Sequence, residues 1–266
     1  MEVTLEREPR ADYAAIVEDE FLSSRNRGVG IARHFPWLLS PCEGIGYAYL
    51  LDGSSLVGGL SIVDCTERMA RREPRTSAVG LVCIARNRRG EGLSRLLLSE
   101  TVRRSRDDGI GALTLWTDKR DVYRRHGFVL ADDSLFGWVR AVHRDPQSAM
   151  RFIKRPINGR IPAFAAAGYE LVSDGYGCSV LEDRHGAILA GWHGTDEQVC
   201  ELLRVAMPNE WRMNATSDDS LPTSLRARGY VVELVRNKLQ MWLSLDPGFT
   251  AEALSKSCRF SVLDRV

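Results

Sequence analysis

The stretch Ser77-Ala-Val-Gly-Leu-Val-Cys-Ile-Ala85, continued by Arg86-Asn-Arg-Arg-Gly-Glu-Gly-Leu-Ser94, decides the fold. Its first part is short, apolar and partly β-branched, which predicts a buried strand. Leu93, Leu96 and Leu97 then recur at helical spacing, so a helix is predicted to begin directly after the glycines. A buried strand, a glycine loop and a helix in succession indicate a mixed α/β protein.

The glycine loop has the residues of an anion site. Gly90 and Gly92 would let the backbone approach a ligand closely, and the first turn of a helix leaves several N–H groups without partners. These N–H groups and the positive end of the helix would point at one spot, which a diphosphate fits. The same residues would also make an ordinary strand-to-helix turn. The sequence contains neither a Walker loop nor Gly-x-Gly-x-x-Gly.

Short strands and helices surround this loop. A hairpin is predicted for Ile45 to Leu51 and Leu56 to Val63, because an Asp-Gly pair between them is a strong turn signal. After the long helix, Ala112 to Trp116 is predicted to be a strand. Asp118 would cap a further helix from Lys119 to His126.

Length, charge and cysteine content limit the class of protein. The 266 residues suggest two domains, and a basic, Pro-containing segment places the boundary near residue 145. Residues 1–145 hold 22 Lys+Arg against 21 Asp+Glu, and residues 146–266 hold 14 against 14, which argues against a nucleic-acid partner. The six cysteines form no zinc or disulfide pattern and suit a reducing compartment. Without a long apolar run or a signal peptide, we expect a cytoplasmic protein with no membrane partner and no metal.

The second half repeats the back part of the first. Four elements are predicted there in succession: a hairpin around residues 183–186, a helix at 197–206, a strand at 211–215 and a short helix at 220–228. Within this order, Leu225-Arg-Ala-Arg-Gly-Tyr230 aligns with Tyr123-Arg-Arg-His-Gly-Phe128. The phenol of Tyr123 is replaced by leucine, and no glycine-rich loop precedes the second helix. The pattern indicates a degenerate repeat, although any helix ended by glycine before a strand would produce it.

The glycine loop and the Tyr123 segment together resemble the GNAT superfamily of acyl-CoA-dependent N-acyltransferases. The family signature is Arg/Gln-x-x-Gly-x-Gly/Ala between a strand and a helix, followed later by Tyr-x-x-x-Gly-Phe. Arg89, Gly92 and Ser94 take the positions of the first motif, with Ser94 as a mild departure. The resemblance covers residues 1–140 and implies a GNAT fold, with a mixed, mostly antiparallel central sheet flanked by helices. It also implies a catalytic domain at 1–145 and a smaller, degenerate GNAT-like α/β domain at 146–266.

The resemblance also implies where acetyl-CoA binds as cosubstrate. Two strands in this family separate to admit pantetheine, so the backbone of Val82, Cys83 and Ile84 would bind pantetheine and the acetyl carbonyl. The pyrophosphate would lie on the segment of Arg89, Gly90, Glu91, Gly92, Leu93 and Ser94. An unpaired strand N–H at the thioester oxygen would stabilise the negative charge that grows there.

Tyr123 is the predicted general acid for the departing thiolate. A free tyrosine has a pKa near 10 and a thiol one near 8.5, so proton donation is uphill by about 2 kcal/mol. A position near the start of a helix would favour an anion beside Tyr123. The alternative is an aromatic side chain that packs in the core beside Phe128. Asp64, Glu67 and Asp118 are candidate general bases, and none of them is assigned.

The sequence therefore predicts transfer of an acetyl group to a primary amine by direct attack in a ternary complex, without a covalent enzyme intermediate. The acceptor would be a small molecule or a peptide, and a homodimer remains open. One alternative is a catalytically inactive acyl-CoA-binding regulatory protein. Another is an acyltransferase that acts on a nucleic acid or a tRNA-borne amine.

Overall fold

The computed structural model describes residues 1–23, 30–142, 150–158, 160–258 and 260–265. The strands, in chain order, are β1 (Glu2–Glu6), β2 (Ile45–Asp52), β3 (Ser55–Asp64), β4 (Thr76–Ile84), β5 (Ala112–Trp116), β6 (Val129–Leu130), β7 (Ser134–Ala141), β8 (Ile153–Pro156), β9 (Ala167–Ser173), β10 (Tyr176–Asp183), β11 (Gly186–His193), β12 (Glu210–Thr216), β13 (Tyr230–Arg236) and β14 (Gln240–Ser244). The α-helices are α1 (Ala11–Val17), α2 (Ile31–His34), α3 (Leu93–Asp107), α4 (Arg120–Arg124), α5 (Asp196–Ala206), α6 (Leu221–Ala227) and α7 (Ala251–Ser257). A π-helical turn, Glu18–Leu22, continues α1.

The described residues divide into two compact units, each with its own seven-stranded sheet. The first sheet has the order β1-β2-β3-β4-β5-β14-β6, and the second has the order β13-β7-β12-β11-β10-β9-β8. The pairs β4·β5 and β11·β12 are parallel, whereas the other pairings in both sheets are antiparallel. The predicted mixed, mostly antiparallel fold is therefore confirmed.

Each unit includes one strand from the other predicted domain. β14 pairs with β5 and β6 in the first unit, and β7 pairs with β12 and β13 in the second. The sequence predicted contiguous domains at 1–145 and 146–266, and residue 145 lies outside the described residues. The structure instead divides the chain after Asp132 and again after Asn237, with the second unit also including Ser261–Asp264. Ladder hydrogen bonds join backbone groups, so strand patterning alone does not show which sheet a strand enters.

The two sheets share one plan. Starting from β1 or from β8, each has four antiparallel strands, a parallel neighbour, the exchanged strand and a last edge strand. The long helix of each unit, α3 or α5, connects the parallel pair, as parallel strands require a crossover. The predicted structural repeat is confirmed by this shared order.

The parallel pair of the first unit separates soon after it forms. Residues Thr76–Ala78 of β4 pair with Ala112–Thr114 of β5, and β4 then runs on to Ile84 without a described ladder to β5. A gap between two neighbouring strands leaves backbone hydrogen-bonding groups of β4 open on that side. The corresponding pair in the second unit is joined at Ile188 and Leu189.

Packing on the two faces of the first sheet fixes this arrangement. On one face, α3 buries Leu93, Leu97 and Leu98 in a core cluster that also includes Met241 of β14. In a second cluster of the same unit, Trp242 packs with residues of α7. The exchanged strand β14 therefore contributes buried side chains to two cores of the first unit.

The strand exchange leads to a stability prediction. Trp242 is fully buried, so Trp242→Ala should lower the free energy of unfolding by about 3–5 kcal/mol, measured by urea denaturation. Its ladder partner Val129 is 48% exposed, and Val129→Ala is the matched control with an expected change of less than about 0.5 kcal/mol. Equal effects of the two substitutions would contradict the placement of β14 inside the first sheet.

Candidate functional site

The loop between β4 and α3 has the backbone conformation of an open anion site. Gly90 and Gly92 have φ of +87° and +73°, in the left-handed region that favours glycine. Gly92 is the N-cap of α3, and no side chain caps this helix. Among the described residues, none accepts a hydrogen bond from the N–H groups of Gly90 through Ser94. Several N–H groups at the start of a 15-residue helix, where the helix dipole is positive, therefore have no acceptor among the described residues.

The space beside the two glycines is free of protein atoms. A Cβ built on Gly90 or Gly92 would meet nothing within 4 Å. Packing therefore does not require glycine here. The residues fit the diphosphate of coenzyme A, because they offer unpaired N–H donors beside an open volume.

The arginines of this segment are all paired with carboxylates. Arg89 donates from Nε to the Ile84 carbonyl at 3.3 Å, and a terminal nitrogen lies 2.5 Å from Glu20 Oε2. Arg86 Nε lies 2.8 Å from Glu20 Oε1. Arg88 pairs with Glu91 at 2.8 Å and with Asp52 at 3.1 Å. The loop thus combines free backbone donors with guanidinium groups that are already neutralised.

Glu20 holds two of these arginines at once. Its side chain is 17% exposed. Burial alone would raise the pKa of Glu20, but the hydrogen bonds from Arg89 and Arg86 lower it overall. The Glu20 carboxylate thus neutralises the guanidinium groups that an incoming phosphate group would otherwise contact.

β4 is irregular just before the loop. Gly59 pairs with Cys83 and Ser61 pairs with Gly80, so Leu81 and Val82 of β4 stand opposite one residue of β3. This is a β-bulge. Leu81 has φ of +54°, a conformation that costs a branched apolar residue about 1–2 kcal/mol. Strain of this kind is retained at sites where the surrounding structure determines it.

Val82 is the second residue of the bulge, and Cys83 and Ile84 follow it at the end of β4. Cys83 and Ile84 are buried, and Ile84 belongs to the core cluster that Leu93 joins from the start of α3. Burial raises the pKa of the Cys83 thiol to about 12, and the nearby Glu20 carboxylate adds to the shift. A thiol with so high a pKa is a poor nucleophile. This supports the prediction that Cys83 forms no covalent intermediate.

Tyr123 lies beside these residues, in a different position on its helix from the predicted one. The predicted helix at Lys119 to His126 is the five-residue α4, whose N-cap is Lys119 and not Asp118, and Tyr123 is in its last turn. The argument from the positive end of a helix was therefore wrong for Tyr123. Its ring contacts Phe128 edge to face, with 6.0 Å between centroids.

The hydroxyl of Tyr123 is a donor that the described protein leaves unused. No described residue makes a hydrogen bond to its Oη. Burial raises its pKa to about 12, and Cys83 adds a smaller effect. Tyr123 also packs in the same cluster as Leu93 and Ile84. The structure thus brings the end of β4, the glycine loop and Tyr123 together.

Asp64, one of the candidate bases, and His126 both make local polar contacts. Asp64 accepts the N–H of Thr66 at 2.9 Å and so stabilises the local turn. Nδ1 of His126 lies 3.3 Å from the hydroxyl of Ser99. Burial lowers the pKa of His126, and Arg95 contributes to the shift.

Two residues of the site escaped the sequence analysis. Glu20 reaches Arg89 from 69 residues earlier, and the hydroxyl of Tyr13 donates to the Leu81 carbonyl at 2.9 Å. The pair Gly58-Gly59 in β3 was a usable signal, because glycine inside a strand often marks a close approach by another group. A Cβ on Gly59 would lie 2.9 Å from the Tyr13 ring.

The equivalent place in the second unit is closed. Thr195 caps α5, and Thr195 and Gln198 form a capping box that satisfies backbone donors at the helix start. Leu225, which aligns with Tyr123, is fully buried in the second core. The second unit therefore lacks both the open helix start and the phenol of the first.

Comparison with known proteins identifies the first unit. The family model of the acetyltransferase (GNAT) domain matches residues 6–131. These residues belong to the GNAT family. They include the glycine loop, the end of β4 and Tyr123. A search of curated proteins found no match.

Solved structures share the GNAT fold over most of this chain. Eis1 from Mycobacterium abscessus is 14% identical, with a TM-score of 0.60 over 92% of this chain and 74% of that one. A GCN5-related N-acetyltransferase from Kribbella flavida is 14% identical, with a TM-score of 0.59 over 92% and 71%. A tandem GNAT protein from the clavulanic acid biosynthesis pathway is 12% identical, with a TM-score of 0.51 over 92% of this chain and 99% of that one. At these identities the likeness concerns the fold, and it includes a tandem layout.

The described ranges contain neither a membrane-spanning helix nor a metal-binding cluster. No helix in them is long and apolar enough to cross a membrane. Within the same ranges, no group of three or more His, Cys, Asp or Glu side chains could hold a metal ion.

The cysteines provide a direct check of burial at the site. Cys42 is exposed, whereas Cys83, Cys178, Cys200 and Cys258 are buried and their thiols have pKa values raised to about 11 or 12. Iodoacetamide at pH 8 should therefore alkylate Cys42 in the native protein and leave Cys83 unmodified, as shown by peptide mass spectrometry. Alkylation of Cys83 as fast as Cys42 would show that its thiol is accessible and activated.

Proposed function

We propose that the protein transfers an acetyl group from acetyl-CoA to a primary amine of a small molecule or peptide, by direct attack in a ternary complex. The observation that carries the proposal is the combination in the GNAT domain of a helix start without a side-chain cap, a separated β4 and a phenol hydroxyl that no described residue hydrogen-bonds. Bound acetyl-CoA would supply the thioester whose carbonyl carbon the amine attacks. The chain's own residues bind, orient and donate protons around it.

The glycine loop would hold the diphosphate. The N–H groups of Gly90, Glu91, Gly92, Leu93 and Ser94 are the donors, and the helix start supplies a favourable field. Arg89 would add a cation once its pairing with Glu20 is exchanged for a phosphate oxygen. Binding at this loop therefore includes competition between the diphosphate and the Glu20 carboxylate.

The end of β4 would hold the pantetheine arm. Because β4 has no described ladder to β5 after Ala78, backbone groups at Val82, Cys83 and Ile84 are free to bind an extended ligand on that side. An N–H group from this part of the strand would face the thioester oxygen. Such a donor stabilises the negative charge that develops there during attack.

Tyr123 is the proposed general acid for the departing sulfur. With a pKa of about 12 against 8.5 for a thiol, complete proton transfer is uphill by about 5 kcal/mol, at about 1.4 kcal/mol for each pKa unit. The larger contribution of the phenol is therefore a hydrogen bond donated from Oη to the thiolate as it leaves. The raised pKa keeps that proton in place throughout the physiological pH range.

Substitution of Tyr123 tests its role. Tyr123→Phe should lower kcat by about 100-fold and change the Kd for acetyl-CoA by less than about threefold, because it removes one donor to the leaving group. Turnover is measured as thiol release with a polyamine, a lysine peptide, a peptide with a free N-terminus and an arylalkylamine. Stabilisation of the wild type by acetyl-CoA without turnover on any amine would instead favour a regulatory acyl-CoA-binding protein.

The two ends of α3 provide a matched test of the diphosphate site. Gly92 begins the helix with φ of +73°, and Gly109 follows its end with φ of +72°. Alanine at either position should cost about 1–2 kcal/mol of stability, because both backbones are left-handed. Gly92→Ala should also weaken acetyl-CoA binding by about tenfold in calorimetry, since its methyl group enters the space of the diphosphate. Equal affinities of Gly92→Ala and Gly109→Ala would contradict this site.

A further inference from the structure

The bulge in β4 is supported from outside its own sheet. Leu81 adopts φ of +54°, although leucine has no preference for this conformation and neither neighbour is proline. Two residues of β4, Leu81 and Val82, face a single residue of β3 at this point. The bulge includes Val82 and precedes Cys83 and Ile84, so its shape decides which way the backbone groups of these three residues point.

Tyr13 of α1 makes the contact that holds the bulge. Its hydroxyl donates to the carbonyl of Leu81 at 2.9 Å, across 68 residues of sequence, and the side chain is fully buried. The ring lies over Gly59 of β3, where a Cβ would stand 2.9–3.0 Å from it. A side chain at Gly59 would therefore push Tyr13 away from β4.

Two further tyrosines fix the orientation of Tyr13. Tyr49 and Tyr47 contact its ring edge to face at 5.3 and 6.3 Å, and they stack on each other at 5.6 Å. Their own hydroxyls bond elsewhere. Tyr47 donates to the Trp37 carbonyl at 2.6 Å, and Tyr49 donates to the Glu8 carbonyl at 3.1 Å. Within this trio, the hydroxyl of Tyr13 is thus the one directed at β4.

We propose that Tyr13 is a positioning residue for acyl transfer, which holds the Leu81 bulge and so aims the backbone of Val82 and Cys83 at the thioester. The inference rests on the proposed function, because it assigns a role to the same part of β4. Tyr13 acts through Leu81 and does not touch the reacting atoms. Its removal should therefore affect the rate of transfer more than the binding of coenzyme A, which depends mainly on the glycine loop.

The test compares Tyr13→Phe with Tyr47→Phe. Each removes one hydrogen bond from a buried tyrosine to a backbone carbonyl, so both should lower Tm by similar amounts. Tyr13→Phe should lower kcat by about 10- to 100-fold on the amine that the wild type acetylates fastest, because a misplaced backbone donor is worth about that much. The Kd for acetyl-CoA should stay within about threefold. Tyr47→Phe keeps the ring that contacts Tyr13 and loses only the bond to the Trp37 carbonyl, so it should leave kcat within about threefold.

Amide hydrogen exchange gives a second measurement that needs no acceptor. Peptides covering residues 79–85 should exchange faster in Tyr13→Phe than in the wild type, and Tyr47→Phe should not change them. Equal kcat values and equal β4 exchange in the two variants would overturn the role of Tyr13. Failure of the wild type to bind or use acetyl-CoA is a different result, which would overturn the proposed function and with it the catalytic part of this inference.

Discussion

Strand β4 has to pair with β3 along most of its length and leave its parallel neighbour β5 after three residues. A strand without a bulge would continue to pair with β5 as well as with β3, and the space between β4 and β5 would then be closed. The bulge at Leu81 bends β4 shortly after Ala78, the last residue of β4 that pairs with β5. The features of the candidate site follow from this separation, because it leaves backbone groups of β4 open and brings the strand's end to the start of α3.

Support for the bulge is distributed over three elements of the first unit. Tyr13 comes from α1, Gly59 from β3 provides the space for its ring, and the tyrosines of β2 fix that ring in place. The strain at Leu81 is therefore offset by buried packing and one hydrogen bond. Such local strain is common where a fold has to present backbone groups to a ligand.

Charge around the glycine loop is balanced by the protein itself. The arginines at 86, 88 and 89 are each paired with at least one carboxylate, whereas the backbone donors of the loop are free. A ligand of this loop would have to use N–H groups at a helix start and compete with Glu20 for the arginines. The second unit repeats the strand order but closes its helix start with a capping box and replaces the phenol with a core leucine. Both units thus share the strand order, whereas the open helix start and the phenol occur only in the first among the described residues.

The sequence by itself determined the local features of this protein. Glycines before a helix, an apolar strand and an Asp-Gly turn act within a few residues, so their patterns predicted the glycine loop and most strands. The predicted helix at Lys119 to His126 was too long, because α4 begins after its N-cap Lys119 and ends at Arg124, ahead of Gly127 with φ of +87°.

Tertiary structure alone decided the features that depend on long-range contact. The exchange of β7 and β14 follows from backbone pairing, and the pattern of side chains along a strand does not show which strands it pairs with. Tyr13 and Glu20 meet β4 and the loop from more than 60 residues away, and their neighbours in sequence show only an ordinary amphipathic helix. Local patterns thus specify which groups can bind a diphosphate or donate a proton. The folded chain determines which of them meet, because that depends on how distant strands and helices pack.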